Sequence, residues 1–436
     1  NSAIYKFPLT IKTLETYYRL YKERLLLVCQ AFYKTKVGRE YQKKDIPSYS
    51  AFAQSLPLTE GQLLREKPKD LIANGSFKLK KFSSSGTTGT QKIIYVPENM
   101  APDIVPQNVL DAVSKYKNPL FIGTHSKSPE PEYVYWAYEN IYRYHCSRFQ
   151  AKEFYNMKTA IDIAKGSEFL IIYDYPSGVQ RFLFYISQYL DQHPIERSRF
   201  KKKVIAIEIC GEQIEINSLR QLSKKTSSLF GIEPVIWVSY GLTEVGNVGI
   251  YRYDKKDRRI LYEVDRNIFL EILDVINHKP IGVKKEGEII LTSLRTQGTI
   301  ICRYRTRDIG RLIFEKGKKY LKFLKRDPRT TTVFIAGGKF SMLDLRNVII
   351  DKFHILPTIE VKRKVISSKG KETLNIDTYL PTKLDNTSTI KIKEFIVDWV
   401  TKEVWIGPGI KEGKFKIIVK IHSDSMYLKK TFRLKV

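Results

Sequence analysis

Between about residues 104 and 230, short apolar runs alternate with stretches of helical periodicity, and this alternation constrains the fold more than any other feature of the sequence. Residues 169–173 (FLIIY) and 204–209 (VIAIEI) are two of these runs. Short β-rich runs separated by helices are typical of α/β proteins, in which helices cover a sheet. We therefore predict an α/β fold for this part of the chain.

Nearer the start, residues 13–34 have helical periodicity, with Tyr17, Tyr18 and Tyr21 near one face. This pattern predicts a packing helix, with a partner-binding helix as the alternative.

The pattern changes twice farther along the chain. Residues 231–325 contain mostly strand-like runs, of which 311–314 is the last, and a polar, threonine-rich stretch follows residue 325. Beyond that stretch the periodicity predicts a helix, several strands and a second helix. We therefore predict two domains with a boundary near residue 325. Residues 1–325 would form a large N-terminal domain with mixed sheets and helices, and residues 326–436 a small α+β C-terminal domain.

The chain is strongly basic. It has 75 lysines and arginines against 46 aspartates and glutamates, which gives a formal net charge of +29. Such a surface attracts nucleic acids, acidic proteins and phosphorylated ligands, although the same lysines could simply keep a protein soluble. The basic residues form no compact arm and no recognisable nucleic-acid-reading module. The sequence therefore disfavours a nucleic acid as the partner.

Two further features concern the cellular location. The apolar runs are far shorter than the ~20 residues that span a bilayer, so we expect no contact with a membrane. The cysteines are widely spaced, without the C-x2-C pattern of a zinc site, which fits a reducing compartment. The first residues also lack the pattern of a secretory signal. These observations predict a cytoplasmic protein.

The richest candidate site is the segment SSSGTTGTQK at residues 83–92. Its glycines let backbone N–H groups approach an anion, its hydroxyls add donors, and Lys92 adds a positive charge. It is not a Walker A loop, because Lys92 lies three residues past Gly89 and begins a strand. The segment predicts a phosphate-binding loop between two strands, with a solvated hairpin turn as the alternative.

Two carboxylates stand in further polar segments. In YGLTE at residues 240–244, which follows an apolar strand, Glu244 beside Thr243 could bind Mg²⁺ through oxygen. The alternative is a solvated glutamate in a loop. In CRYRTRDIG at residues 302–310, Asp308 could accept hydrogen bonds from two ribose hydroxyls. Taken alone, this segment favours an ion pair between Asp308 and one of its three neighbouring arginines.

In this order, the segments resemble the adenylate-forming (AMP-forming) carboxylate ligases, and among them the phenylacetate–CoA ligase type. Four features carry the resemblance: SSSGTTGTQK, the pair Gly211-Glu212, YGLTEVG at residues 240–246, and RYRTRD, where many relatives have glycine before the aspartate. The resemblance covers roughly residues 80–430 and is strongest from 83 to 310. It implies a large adenylation domain followed by a small, mobile α+β lid domain.

The resemblance also implies a role for each matching residue. The residues that would bind the ATP phosphates are Ser85, Gly86, Thr87, Thr88, Gly89 and Lys92. Those that would hold the adenosine are Gly211, Glu212 and Tyr240 at the adenine and Asp308 at the ribose. Thr243 would contact the α-phosphate and Glu244 would bind Mg²⁺.

Two more residues match near and beyond the expected boundary. Arg326 resembles the hinge-region arginine that reaches the nucleotide, although the segment here reads RDPR. Lys430 resembles the lysine that balances charge on the carboxylate and the α-phosphate, although Lys429 stands where a glycine usually precedes it. The alternative for Lys430 is a solvated lysine on a basic tail.

The activity that the resemblance implies is the activation of a small carboxylic acid by ATP, with release of pyrophosphate and formation of an acyl-adenylate. The acyl group would then pass to a thiol. Resemblance to the subgroup favours coenzyme A, and the phosphopantetheine arm of an acidic carrier protein is the alternative. A degenerate nucleotide-binding protein, which keeps the fold without the chemistry, is a further alternative because the hinge and the tail are altered.

Overall fold

The structure is a computed structural model that describes residues 14–41, 45–73, 78–83, 92–98, 120–123, 145–148, 169–174, 176–200, 204–211, 214–315, 317–326, 332–335, 338–353, 355, 357–366, 371–380, 384–403, 415–423 and 432–435. Its α-helices are α1 (Leu14–Lys34), α2 (Tyr49–Ser55), α3 (Leu63–Glu66), α4 (Pro176–Gln192), α5 (Pro194–Phe200), α6 (Ile216–Phe230), α7 (Met342–Phe353) and α8 (Asn386–Glu403). Short 3-10 helices lie at Gly38–Glu40 and Pro68–Leu71.

The described strands fall into a first group before the expected boundary and a second group after it. The first group is β1 (Leu79–Ser83), β2 (Ile93–Pro97), β3 (Leu120–Gly123), β4 (His145–Arg148), β5 (Phe169–Asp174), β6 (Val204–Ile209), β7 (Val235–Leu242), β8 (Gly246–Arg252), β9 (Tyr262–Val264), β10 (Ile268–Leu273), β11 (Gly287–Ser293), β12 (Tyr304–Glu315) and β13 (Lys318–Arg326). The second group is β14 (Thr332–Ile335), β15 (Gly338–Ser341), β16 (Thr358–Ile366), β17 (Lys371–Leu380), β18 (Phe415–Ser423) and β19 (Phe432–Lys435).

One mixed sheet dominates the first group, in the order β10-β11-β12-β13-β9-β8-β7-β6-β5-β3-β4. The strands from β3 to β7 pair in parallel, and α4, α5 and α6 connect β5, β6 and β7. From β7 onward the pairing is antiparallel, because β7 and β8 form a hairpin. This change of pairing confirms the α/β pattern before residue 230 and the strand-rich pattern after it.

Helix α1 packs its aromatic face onto this sheet. Tyr17, Tyr18 and Tyr21 are buried at helical spacing, as the periodicity predicts. The Tyr17 ring stacks on Phe269 of β10 with 4.8 Å between ring centroids. The helix is therefore a packing element.

Within the described ranges, apolar side chains form two buried clusters. The first combines α1, α4, α6 and the mixed sheet. The second lies within residues 342–421 and includes Ile349 of α7, Ile376 of β17 and Ile396 of α8. In the second group of strands, the sheet order is β18-β17-β16-β19, with β14 and β15 as a separate pair. Among the described helices, none is long and apolar enough to cross a bilayer.

Candidate active site

The YGLTE segment lies at the carboxyl end of the parallel strands, where open α/β sheets bind ligands. In the first half of β7, the side chains of Ile236, Trp237 and Val238 are buried. The chain then turns at residues 243–245 into β8. The register of β7 against β8 shifts after Tyr240, an irregularity that re-aims side chains. Gly211 follows the neighbouring strand β6 with φ of 72°, a conformation that suits glycine.

Three side chains meet at this hairpin turn. The Lys92 ammonium, at the start of β2, forms an ion pair with Oε1 of Glu244. The Tyr304 hydroxyl, at the start of β12, donates to the same Oε1 over 2.7 Å. Lys92 Nζ also donates to the Tyr304 hydroxyl oxygen over 2.8 Å. The cluster therefore joins the strand after the SSSGTTGTQK loop to the YGLTE and RYRTRD segments.

The Glu244 carboxylate is almost fully buried, with 3% of its side chain exposed. Burial alone would raise its pKa, but attraction to Lys92 and hydrogen bonds from Lys92 and Tyr304 reverse the effect and hold the pKa below 4.5. Burial next to this carboxylate raises the pKa of Tyr304 far above 10. At neutral pH the site therefore contains an ionised carboxylate and a neutral phenol.

A second contact joins the same two segments. The Tyr240 hydroxyl donates to Oδ2 of Asp308 over 2.7 Å, and Asp308 is 1% exposed. Tyr240 and Glu244 lie on one hairpin, and Asp308 and Tyr304 lie on one strand, so each segment contributes a tyrosine and a carboxylate. Tyr304 and Asp308 are four residues apart on β12, so at most about 13 Å of strand separates the two contacts.

Arg326 lies beside Asp308. It is the last residue of β13, and the pairing register of β12 and β13 sets it directly opposite Asp308. The backbone thus brings the predicted hinge-region arginine to the strand that carries the predicted ribose ligand.

The arginines that precede Asp308 are engaged by glutamates from distant parts of the chain. Their ion pairs are Arg303 with Glu271 at 3.2 Å, Arg305 with Glu288 at 2.5 Å and with Glu60 at 3.0 Å, and Arg307 with Glu60 at 2.8 Å. The local sequence favoured an ion pair between Asp308 and one of these arginines. All three guanidinium groups are instead occupied by carboxylates other than Asp308.

Arg307, the residue before Asp308, has a backbone conformation that favours glycine. Its φ is 64°, in the left-handed region, and a side chain there costs of order 1–3 kcal/mol. Ion pairing with Glu60 offsets part of this cost. The backbone shape typical of glycine is therefore kept, although the residue is an arginine.

Sequence reasoning missed Tyr304, Glu60 and Gly61. A Cβ on Gly61 would lie 3.0 Å from Lys92 Cε and 3.1 Å from the Tyr304 hydroxyl, so this glycine lets both side chains approach its backbone. Residue 59 is hydrogen-bonded to β12: Thr59 N–H donates to Arg303 O, and Arg305 N–H donates to Thr59 O, both over 3.0 Å. Of these three residues, only Tyr304 lies within a motif that the sequence analysis identified, RYRTRD.

Of the predicted site residues, Lys92, Tyr240, Glu244 and Asp308 lie in the two contacts just described, with Arg326 opposite Asp308 in register and Gly211 at the edge of β6. Thr243 is a buried residue of the hairpin turn. The predicted residues that lie outside the described ranges are Ser85, Gly86, Thr87, Thr88, Gly89, Glu212 and Lys430.

The cluster fits a divalent cation bound by a single protein carboxylate. An ionised, buried carboxylate already has one cation, the Lys92 ammonium, against it. Within the described ranges no group of three or more histidines, cysteines, aspartates or glutamates could hold a metal. Mg²⁺ is commonly bound through one or two protein carboxylates, with its other ligands from water and substrate phosphates, and the ionised Glu244 carboxylate suits that role.

The Lys92–Glu244 pair predicts a pH-dependent stability. Lys92→Met leaves Glu244 charged and buried, which we expect to cost about 1–3 kcal/mol at pH 7, less than for a fully buried pair because Lys92 is a quarter exposed. In the wild type, stability from Glu244 is present above its unfolded-state pKa and is lost as the pH falls through the lower folded-state pKa. In Lys92→Met the carboxylate is protonated more readily, so the deficit should shrink as the pH falls from 7 to 4.

The measurement is the free energy of urea unfolding between pH 7 and pH 4. Lys92→Met/Glu244→Gln is the control, because it removes the charge that titrates. A deficit of Lys92→Met that stays constant over this pH range would contradict the assigned pairing.

Comparisons with known proteins bear on the fold. No family model matches the chain. Over 101 residues the chain is 29% identical to a phenylacetate-coenzyme A ligase from Aromatoleum evansii, a match that covers 23% of this chain and 22% of that relative. The chain thus matches only about a fifth of the length of this curated relative.

Solved structures match over almost the whole chain. A crystal structure of 2-hydroxyisobutyryl-CoA ligase in the postadenylation state, in complex with 2-HIB-AMP, has a TM-score of 0.65 at 13% identity and covers 97% of this chain and 90% of its own. The same ligase with 2-HIB-AMP and CoA in the thioesterification state has a TM-score of 0.56 at 14% identity, covering 97% of this chain and 91% of its own. The chain therefore has the fold of the adenylate-forming ligases, which confirms the fold that its motifs predicted.

Proposed function

We propose that the chain activates a small carboxylic acid with ATP and then transfers the acyl group to the thiol of coenzyme A. The observation that carries this proposal is the convergence of Lys92, Glu244 and Tyr304, and of Tyr240 and Asp308, in a fold shared with CoA ligases. A ligase of that fold is described with an acyl-adenylate and CoA bound. Support thus comes from the site chemistry and the fold together.

In this proposal one ATP molecule spans both contacts. Asp308 accepts hydrogen bonds from the ribose hydroxyls, and Tyr240 with Gly211 and Glu212 flanks the adenine. Lys92 and the loop residues Ser85, Gly86, Thr87, Thr88 and Gly89 hold the phosphates, and Thr243 contacts the α-phosphate. Arg326 reaches the nucleotide from its place opposite Asp308.

The reaction has two steps. A carboxylate oxygen of the acid attacks the α-phosphorus of ATP, and pyrophosphate leaves, which gives the acyl-adenylate. The thiol sulfur then attacks the acyl carbonyl, and AMP leaves with the bonding electrons. Since both reactants of the first step are anions, catalysis is mainly positioning and charge neutralisation by Lys92 and Lys430, without a side-chain nucleophile.

Mg²⁺ is part of this proposal, with Glu244 as its protein ligand. When bound, the ion would neutralise charge on the phosphates. The site keeps Glu244 ionised at neutral pH, as a metal ligand must be, through Lys92 and Tyr304.

We further propose that the chain divides into an adenylation domain of residues 1–325, which binds ATP and the acid, and a small α+β lid domain of residues 326–436. The separate buried clusters on either side of the proposed boundary support this division. Lys430 would belong to the lid domain. The phosphopantetheine arm of an acidic carrier protein is the alternative acceptor.

The proposed function is tested by acid-dependent exchange of labelled pyrophosphate into ATP, with a panel of aryl, fatty and amino acids. We expect exchange with at least one acid, followed by release of AMP and a thioester when CoA is added. Carrier proteins replace CoA in a parallel reaction, and intact-mass measurement identifies the acylated thiol. If ATP binds but no acid supports exchange, while a control ligase exchanges, the proposal is wrong and the chain only binds nucleotide.

Asp308→Asn is predicted to raise the KM for ATP by about 10–100-fold, because hydrogen bonds to a charged acceptor contribute about 1.5–3 kcal/mol each. The wild type should also discriminate against 2′-deoxy-ATP and 3′-deoxy-ATP, and the variant should lose this discrimination. The measurement is the KM of each nucleotide in pyrophosphate exchange.

Asp257→Asn is a matched control, since Asp257 accepts a hydrogen bond from the Tyr251 hydroxyl over 2.8 Å in another part of the sheet. It should keep the wild-type preference for ATP. Discrimination that survives in Asp308→Asn would remove Asp308 from the ribose site.

A further inference from the structure

We infer that Tyr304 is a positioning residue for cation binding: its hydroxyl holds the Glu244 carboxylate in place while Lys92 gives way to the metal that accompanies ATP. This inference rests on the proposed function. It assigns a role to a residue for which the motifs gave none.

The geometry is a closed triangle of three polar groups. Oε1 of Glu244 accepts from both Lys92 and Tyr304, and the Lys92 ammonium also donates to the Tyr304 hydroxyl oxygen over 2.8 Å. Tyr304 thus has one hydrogen bond to the carboxylate and one from the cation. If the ammonium leaves, the bond from the hydroxyl to the carboxylate can persist.

The two donors differ in how firmly they are held. Tyr304 is 2% exposed, and its two chain neighbours, Arg303 and Arg305, are hydrogen-bonded to the backbone of Thr59. A quarter of the Lys92 side chain is exposed, and its stem has four rotatable carbons. The phenol is therefore the fixed donor and the ammonium the exchangeable one.

The exchange also follows from charge. A second cation cannot bind Oε1 closely while the ammonium is there, because like charges repel strongly in a buried site. The triphosphate supplies several anionic oxygens that can accept the ammonium instead. Once Lys92 has turned to the phosphates, the Tyr304 hydroxyl would keep the Glu244 carboxylate oriented for the metal.

The test measures ATP affinity by calorimetry with and without Mg²⁺, in the absence of acid, so that no reaction occurs. The ratio of the two Kd values is the Mg²⁺-dependent gain. We expect Tyr304→Phe to lower this gain by about 10-fold, the effect of one hydrogen bond to a charged group, and to change the Kd without Mg²⁺ by less than twofold. Glu244→Gln should abolish the gain, and Tyr304→Phe should have no further effect in that background.

Tyr49→Phe is the matched control, because the buried Tyr49 hydroxyl donates to Oε1 of Glu271 over 2.8 Å. It should lower the melting temperature and leave the gain unchanged. A purely structural role for Tyr304 would weaken ATP binding equally with and without Mg²⁺.

Two results would overturn this inference and leave the proposed function standing. One is equal weakening of ATP binding with and without Mg²⁺ in Tyr304→Phe. The other is a Mg²⁺-dependent gain in Tyr304→Phe that equals the gain of the wild type. A gain that survives in Glu244→Gln would also overturn it, because the carboxylate that Tyr304 holds would not be the metal ligand. A wild type that binds no ATP would overturn both.

Discussion

Glu244→Gln is expected to slow acid-dependent pyrophosphate exchange by about 10²–10³-fold, the usual effect of removing one preorganised electrostatic contact to a transition state. Glutamine keeps the size of the side chain and its contact with Tyr304, but it removes the charge that attracts Lys92 and that we propose binds Mg²⁺. The loss should therefore appear in kcat at saturating ATP as well as in the KM for ATP, and excess Mg²⁺ should not restore the rate. The measurement is the exchange rate as a function of Mg²⁺ concentration at saturating ATP and acid.

Glu263→Gln is a matched control, since Glu263 forms a lysine–glutamate pair of 2.8 Å with Lys318 at the surface. It should retain the wild-type rate. Exchange by Glu244→Gln within about threefold of the wild type, with an unchanged Mg²⁺ requirement, would show that Glu244 has no part in the chemistry.

Arg303→Ala is expected to lower the free energy of unfolding by about 3–5 kcal/mol, because it removes one partner of a buried ion pair. Arg303 is 5% exposed, pairs with Glu271, which is fully buried, and donates to the carbonyl oxygens of Ala53 and Leu56. The variant therefore leaves a carboxylate and two carbonyl groups without their cationic donor. Urea unfolding of the wild type and the variant gives the difference.

Arg259→Ala removes an arginine–glutamate pair of similar length, 2.8 Å to Glu315, that is about half exposed. It should cost less than about 1 kcal/mol, as exposed pairs do. If Arg303→Ala lowers the free energy of unfolding by no more than this control does, the buried Arg303 does not stabilise the packing of residues 53–56 against β12.

The sequence predicted those parts of the fold that depend on local patterns. The periodicity of residues 13–34 predicted α1, and the apolar runs at 169–173 and 204–209 predicted β5 and β6, because each pattern repeats within a single element. The order of the motifs also indicated the adenylate-forming ligase fold. Each of these signals lies within a continuous stretch of chain.

Strand β12 was harder to predict. Only residues 311–314 read as a strand, whereas the strand begins at Tyr304 and includes the arginine-rich segment. A run of arginines normally indicates solvent exposure. Here Arg303 and Arg305 are buried, because Glu271 of β10 and Glu288 of β11 neutralise them. A sequence read one segment at a time does not contain that pairing.

The site contacts were out of reach for the same reason. Lys92 and Glu244 are 152 residues apart, and Lys92 and Tyr304 are 212 apart. Motif resemblance named Lys92 and Glu244, but it did not indicate that either side chain contacts another residue of the protein. The role of Tyr304 became visible only when the fold brought the three segments together.

The most direct test of the central claim is a crystal structure of the chain with ATP and Mg²⁺ in the absence of acid. We predict one nucleotide whose ribose hydroxyls bind Asp308, whose phosphates bind Lys92, and whose metal ion binds Glu244, with the Lys92–Glu244 contact broken. ATP bound away from these residues, or a nucleotide that contacts Asp308 while Glu244 contacts neither its phosphates nor its metal ion, would contradict the account.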